Sequence, residues 1–71
     1  MKTIYDKFEF FKRQYLRENC RLGQATFNAV FDIDPEIADQ LRGTDKDCFY
    51  FDFRIDDFMK VVYERWEGYQ Q

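Results

Sequence analysis

Histidine and serine are both missing from this 71-residue chain. Without them, neither a Ser-His-Asp nor a Cys-His arrangement of nucleophile and base can be assembled from the chain alone. Cysteine is scarce: Cys20 and Cys48 lie far apart, form no CxxC pair, and have no histidine to complete a zinc site. Long apolar runs are lacking too, and none approaches the ~20 residues that span a bilayer. The opening "MKTIYDKFEFF" interrupts its apolar stretch with Asp6 and Glu9 and carries no small-residue cleavage site, so a signal peptide is not expected. These absences point to a chain in the cytoplasm, off the membrane, where thiols stay reduced and both cysteines are free. Paired carboxylates remain as a catalytic option, because the chain holds 14 acidic residues. A chain this short seldom encloses a pocket of ~300 Å³ or more, so the expectation is no enzyme, no metal and no cofactor.

Aromatic residues are what the chain has in abundance: nine Phe, five Tyr and one Trp, or 21% of all residues. A single domain of this size buries only roughly 60% of its unfolded surface. Each aromatic ring can bury on the order of 150 to 250 Å², and a dense aromatic core is how so short a chain holds together.

Periodicity predicts an all-α domain of about four short helices. Ile4, Phe8, Phe11 and Tyr15 share one face of a first helix, with Lys7, Lys12, Gln14 and Glu18 turned away, and Asn19 and Cys20 end it. After Gly23, "QATFNAVF" repeats Phe27, Val30 and Phe31 at helical spacing beside Ala25 and Ala29, which permit close packing. "IDPEIADQLRG" carries the clearest boundary signals. Asp34 stands as N-cap, Pro35 at the first helical position, Glu36 and Asp39 near the positive end, Arg42 near the negative end and Gly43 just beyond. Ile33, Ile37 and Leu41 form its apolar stripe. A last helix is expected from about Phe53 to Trp66, with Asp52 as N-cap and Ile55, Phe58 or Met59, Val62 and Trp66 as its apolar face. The predicted core is Phe8, Phe11, Phe27, Phe31, Ile37, Leu41, Phe58 and Val62. An α+β alternative competes: Phe49, Phe51, Phe53 and Ile55 alternate with polar residues, as do Phe27, Ala29, Phe31 and Ile33. Residues 27 to 33 and 49 to 55 could then pair as a two-stranded sheet.

The stretch "GQATFNAVFDIDPEIADQLRGTDKDCFY", with the "RIDDFMKVVYERW" that follows it, resembles a group of small proteins encoded by bacteriophages and prophages. The matching positions run from Gly23 to Trp66 and include Gln24, Asn28, Pro35, Arg42, Gly43, Thr44, Asp45, Asp47, Phe49, Tyr50, Arg54, Ile55 and Phe58. Cys48 stands where that pattern has proline. The resemblance implies a phage context, the cytoplasm of a bacterial host and a helical fold, and it carries no catalytic residue.

Two places look like sites. "GTDKDCFYFDFRID" sets acidic residues around three consecutive aromatics. Asp45, Asp47 and Asp52 offer oxygen ligands, but a calcium loop needs glycine at its sixth position, and counting from Asp45 that position is Tyr50. The stronger expectation is structural, with Thr44, Asp45 and Asp47 as turn formers and Phe49 and Tyr50 plugging the core. A partner anchor is the alternative. The second place is charge. Residues 1 to 24 carry six basic and three acidic groups, net +3; residues 25 to 71 carry five and eleven, net −6. Arg13, Arg17 and Arg21 form a ladder that could meet phosphates, although a sequence pI near 4.8 argues against nonspecific nucleic-acid binding.

The function expected is therefore that of a small accessory protein that binds a host protein. Tyr50, Tyr63, Trp66 and Tyr69 are its candidate anchors, with Arg17 and Arg21 as rim charges. A nucleic-acid module using Arg13, Arg17 and Arg21, and a self-associating structural subunit, are the alternatives.

Overall fold

In the computed structural model, which describes residues 3 to 69, the chain forms four α-helices: α1 (Ile4–Arg17), α2 (Leu22–Ile33), α3 (Pro35–Leu41) and α4 (Ile55–Tyr69). One 3-10 turn, Asp52–Arg54, leads into α4. The fold is all-α, and no strand is present among the described residues; residues 27 to 33 lie in α2, and residues 49 to 55 form loop, 3-10 turn and helix start.

Local chemistry sets most of the boundaries. The Thr3 hydroxyl caps α1 by accepting the Asp6 amide at 3.1 Å, with Asp6 near the positive end of the helix dipole and Arg17 near the negative end. The end of α1 is a Schellman motif: the Cys20 amide donates to the Tyr15 carbonyl and the Asn19 amide to the Leu16 carbonyl. Asn19 accordingly takes the left-handed conformation, φ 68°. Pro35 opens α3 as expected, and Gly43 ends it in the left-handed region at φ 77°.

Three boundary expectations change. Asp34 sits at the N-cap position of α3 but makes no side-chain cap bond; as the single residue between α2 and α3, it sends its carboxylate to α4 instead. Ile33 belongs to the end of α2 and not to the α3 stripe. Asp52 does not cap α4, whose start is shaped by the 3-10 turn, but reaches across to α2.

The core forms where α2 meets the other helices. Ala25, Ala29 and Val30 are completely buried, and α1 shares its most extensive helix contact with α2, as small residues permit. Phe27 of α2 stacks on Phe58 of α4 at 5.5 Å between ring centres, and Phe8 of α1 meets Trp66 of α4 edge to face at 5.8 Å. Of the predicted core, Phe8, Phe27, Ile37, Leu41, Phe58 and Val62 are buried. Phe11 packs on the edge of the cluster, and Phe31 is exposed with the Arg42 guanidinium 5.5 Å above its ring. Trp66, Met59 and Cys48 complete the interior.

Asp34 and Trp66 form the polar centre of this core. The indole Nε1 donates to Asp34 Oδ2 at 3.1 Å, and Arg65 Nε donates to the same oxygen at 2.8 Å. Burial alone would raise the Asp34 pKa, but the hydrogen bonds from Arg65 and Trp66 and the Arg65 charge outweigh it and hold the carboxyl below its ordinary value. The Cα radius of gyration is 11.3 Å, against about 11 Å for a close-packed chain of this length.

Candidate functional site

The segment between α3 and α4 is tied down from inside. Thr44 Oγ1 donates to the Leu41 carbonyl at 2.6 Å and accepts the Lys46 amide at 3.2 Å. The nearly buried Asp47 carboxylate accepts the Gly43 amide at 2.7 Å and the Phe49 amide at 2.9 Å. Thr44 and Asp47 are turn formers, as expected, whereas Asp45 points outward and meets only Lys46, 3.9 Å away. The three aspartates of this segment do not converge, and no cluster of three or more His, Cys, Asp or Glu side chains is placed to hold a metal among the described residues.

Its far end is fastened to the start of α2. Arg21 precedes that helix and offers no capping oxygen, so the first amides of α2 need an acceptor from elsewhere. Asp52 Oδ1 supplies it, accepting the Gly23 amide at 2.9 Å and Arg21 Nη1 at 3.1 Å. Arg21 Nη2 also donates to the Phe49 carbonyl at 2.6 Å. Gly23 is required here by space: a Cβ would collide with the Cys48 carbonyl oxygen and lie 2.7 Å from Asp52 Oδ1. The buried Cys48 thiol donates to the Gly23 carbonyl at 3.4 Å, and burial above all pushes its pKa up to about 12, so it is a neutral thiol.

This anchoring leaves aromatic surface outside. Phe49 tucks half-buried against Phe27, ring centres 5.6 Å apart and edge to face, and so acts as the expected plug. Tyr50 does not follow it and is 72% exposed; Phe51 is 46% and Phe53 80% exposed. The Arg54 guanidinium lies 4.5 Å from the Phe51 ring centre and 5.5 Å from that of Phe53. Beside them a cleft of about 260 Å³ opens between Tyr50 and Arg42, with Phe27 and Phe49 lining it and Arg42 5.3 Å above the Phe27 ring. Gly43 and Asp47 complete the lining, so exposed rings, a planar cation and a small cleft lie side by side on this surface.

The sequence-derived candidates do not all lie here. Only Tyr50 is in the loop. Tyr63 is at the edge of an aromatic group with Tyr5 and Trp66, ring centres 5.7 and 6.3 Å away. Trp66 is fully buried, so in this fold it is a core residue and not a surface anchor. Tyr69 ends α4, and its side chain lies outside the described residues. Arg21 is engaged in holding the loop. Arg13 and Arg17 stand on the outer face of α1 with Asp6, Glu9, Phe10 and Gln14, around a trough of about 400 Å³. Sequence reasoning missed Phe51, Phe53, Arg54 and Arg42 as surface residues. The available signal was the spacing of Phe51 and Phe53 about Asp52; in the structure the two rings lie 5.7 Å apart while Asp52 bonds to the start of α2.

Compared with known proteins, the chain matches no protein-family model, no curated protein and no solved structure. No helix among the described residues is long and apolar enough to cross a membrane.

Proposed function

We propose that the protein acts by binding a partner protein through the aromatic loop, with Tyr50, Phe51 and Phe53 as anchors and Arg54 stacked between them. The observation that carries this reading is the exposure of three large rings in four consecutive positions of a loop that is pinned by Asp47, Asp52 and Arg21. A pinned loop loses little conformational freedom on binding, and aromatic and arginine side chains dominate the centres of protein interfaces. The resemblance of "GQATFNA" and "RGTDKDCFY" to phage-encoded proteins supports an accessory role in the cytoplasm of a bacterial host, with a host protein as the target. Nucleic acid is the weaker reading, because Asp6 and Glu9 share the face of Arg13 and Arg17, and Arg21 is already paired.

The test is capture from bacterial lysate with wild type, a Tyr50→Ser/Phe53→Ser double variant and an Arg13→Ala/Arg17→Ala double variant, each confirmed folded by circular dichroism. Loss of a retained protein with the loop variant alone supports the loop. Loss with the arginine variant alone, together with retention that falls steeply with salt, transfers the function to the α1 face.

A further inference from the structure

We propose that the outer face of α1 is a self-complementary interface at which two copies of this chain pair antiparallel about a two-fold axis. Asp6, Glu9, Phe10, Arg13, Gln14 and Arg17 form one stripe, and the trough along it is lined by α1 residues only. All are exposed except the half-buried Glu9, so no other described element covers this face. Phe10 is an exposed ring in the middle of the stripe, resting edge to face on its neighbour Phe11 at 5.7 Å. Asp6, Arg13 and Arg17 make no ion pair among the described residues, while Glu9 is held by Lys12 at 3.2 Å.

The order of these residues identifies the occupant. Reversing the helix about the midpoint between Phe11 and Lys12 maps the stripe onto itself, setting Asp6 opposite Arg17, Glu9 opposite Gln14 and Phe10 opposite Arg13. In a two-fold interface each such pairing occurs twice, because residue i meets j and j meets i. The result is two ion pairs, two amide-carboxylate contacts and two guanidinium-ring contacts, with no like charges opposed. The spacing of three and four residues along the stripe is that of a helix-helix seam. Its two acids and two arginines cancel, so two copies do not repel, whereas a polyanion would meet Asp6 and Glu9 along with the arginines. The stripe is short and holds one large apolar side chain, which suits a reversible dimer and not an obligate one. By symmetry, such a dimer carries two aromatic loops and could engage a repeated or dimeric partner with both.

Sedimentation equilibrium at low salt tests the pairing directly. Wild type should show a reversible monomer-dimer equilibrium with Kd between about 10 μM and 1 mM, the range in which a small interface of this kind falls. Arg13→Glu/Arg17→Glu makes the stripe wholly acidic, and Asp6→Lys/Glu9→Lys makes it wholly basic. Each variant alone should dimerise at least tenfold more weakly, and an equimolar mixture should recover dimers at least as tight as wild type. Recovery on mixing also shows that the two variants are folded. Phe10→Ala, which keeps the charges and a good helix former, should weaken the dimer about tenfold, as loss of a central aromatic does. Wild type that stays monomeric to ~1 mM overturns the proposal, as does a dimer that survives both charge variants. A dimer abolished by Phe53→Ser but indifferent to the stripe also overturns it and places the second copy on the loop.

Discussion

Replacing Asp34 should reveal how much of this small fold depends on one buried carboxylate. Asp34 is 9% exposed and accepts from Trp66 Nε1 and from two nitrogens of Arg65. In Asp34→Ala the indole N–H of a fully buried tryptophan loses its acceptor, which costs about 1 to 3 kcal/mol. Arg65 is not stranded to the same degree. Its side chain is 24% exposed and keeps Glu36 at 3.2 Å, so its loss stays below the ~3 to 5 kcal/mol of a fully buried pair broken on one side. Together these give about 2 to 4 kcal/mol. The whole domain can draw on only about 4 to 10 kcal/mol, at ~0.05 to 0.15 per residue. Asp34→Asn should fall between, since its amide oxygen can still accept the indole proton while its NH₂ faces the guanidinium.

The single tryptophan makes the assay simple, because Trp66 moves from a dry core to water on unfolding and its emission shifts with it. Urea titrations followed by that shift should show the midpoint falling in the order wild type, Asp34→Asn, Asp34→Ala. The acid limb adds a second readout. The Asp34 carboxyl is lowered in the folded state from an ordinary value of 3.8. Its contribution is therefore complete above that value and is lost as pH drops through the lower, folded value. Wild type should lose stability more steeply than Asp34→Asn below about pH 4. An unchanged midpoint in Asp34→Ala, or identical acid limbs for wild type and Asp34→Asn, would refute the view that this carboxylate works as a charged acceptor.

Gly23→Ala gains about 1 kcal/mol of helix propensity but drives a Cβ into the Cys48 carbonyl, and a net loss of about 1 to 3 kcal/mol in urea unfolding is expected; a gain would show that the loop yields there. Leu41→Ala should cost about 2 to 5 kcal/mol for deleting a buried leucine side chain, and an unshifted denaturation midpoint would remove Leu41 from the core. Alkylation followed by mass spectrometry should modify the half-buried Cys20 in the native protein and leave Cys48 intact until denaturant is added; equal native rates would contradict the burial of Cys48.

Much of the fold was legible wherever the signal was local. Periodicity and the Asp34-Pro35 and Arg42-Gly43 junctions located α1, α2 and α3, because caps and left-handed closures depend on neighbours in sequence. What could not be read was the direction in which a polar side chain reaches. Asp34 and Asp52 both occupy positions that suit an N-cap, and both bond instead to residues some 30 positions away. Trp66 fits both the apolar face of the last helix and an interface anchor, and its burial beside the Asp34 acceptor decides for the helix face. Phe31 followed the α2 period but faces the edge where Arg42 covers it.

The alternation around Asp52 shows how a correct pattern can carry the opposite meaning. Phe51 and Phe53 do lie together, ring centres 5.7 Å apart, but at a 3-10 turn and not on a strand, and a half-buried strand would put the rings inward and the acid in water. Here the acid, still half exposed, is drawn to the start of α2, where no side chain of that helix meets its first amides. Satisfying a helix N-terminus with a carboxylate is worth about 0.5 to 2 kcal/mol, and the Arg21 ion pair adds little because both partners are about half exposed. Burying a phenylalanine fully would contribute about 1.5 to 3 kcal/mol, so leaving Phe51 and Phe53 outside is not favoured by the isolated chain. The two signs that were readable in advance are a helix start without a capping residue and a glycine just inside it, which together require a close approach by an acceptor from a distant segment. Asp52 is flanked on both sides by aromatics, as Glu9 is in α1, and tying it to the start of α2 leaves Phe51 and Phe53 outside. Asp52→Ala therefore tests the link between stability and surface in one variant: it should cost about 1 to 2 kcal/mol and also weaken partner capture, even at temperatures where circular dichroism shows the helices intact. Capture at wild-type strength from a destabilised but folded Asp52→Ala protein would separate the two roles and leave the aromatic loop without its proposed support.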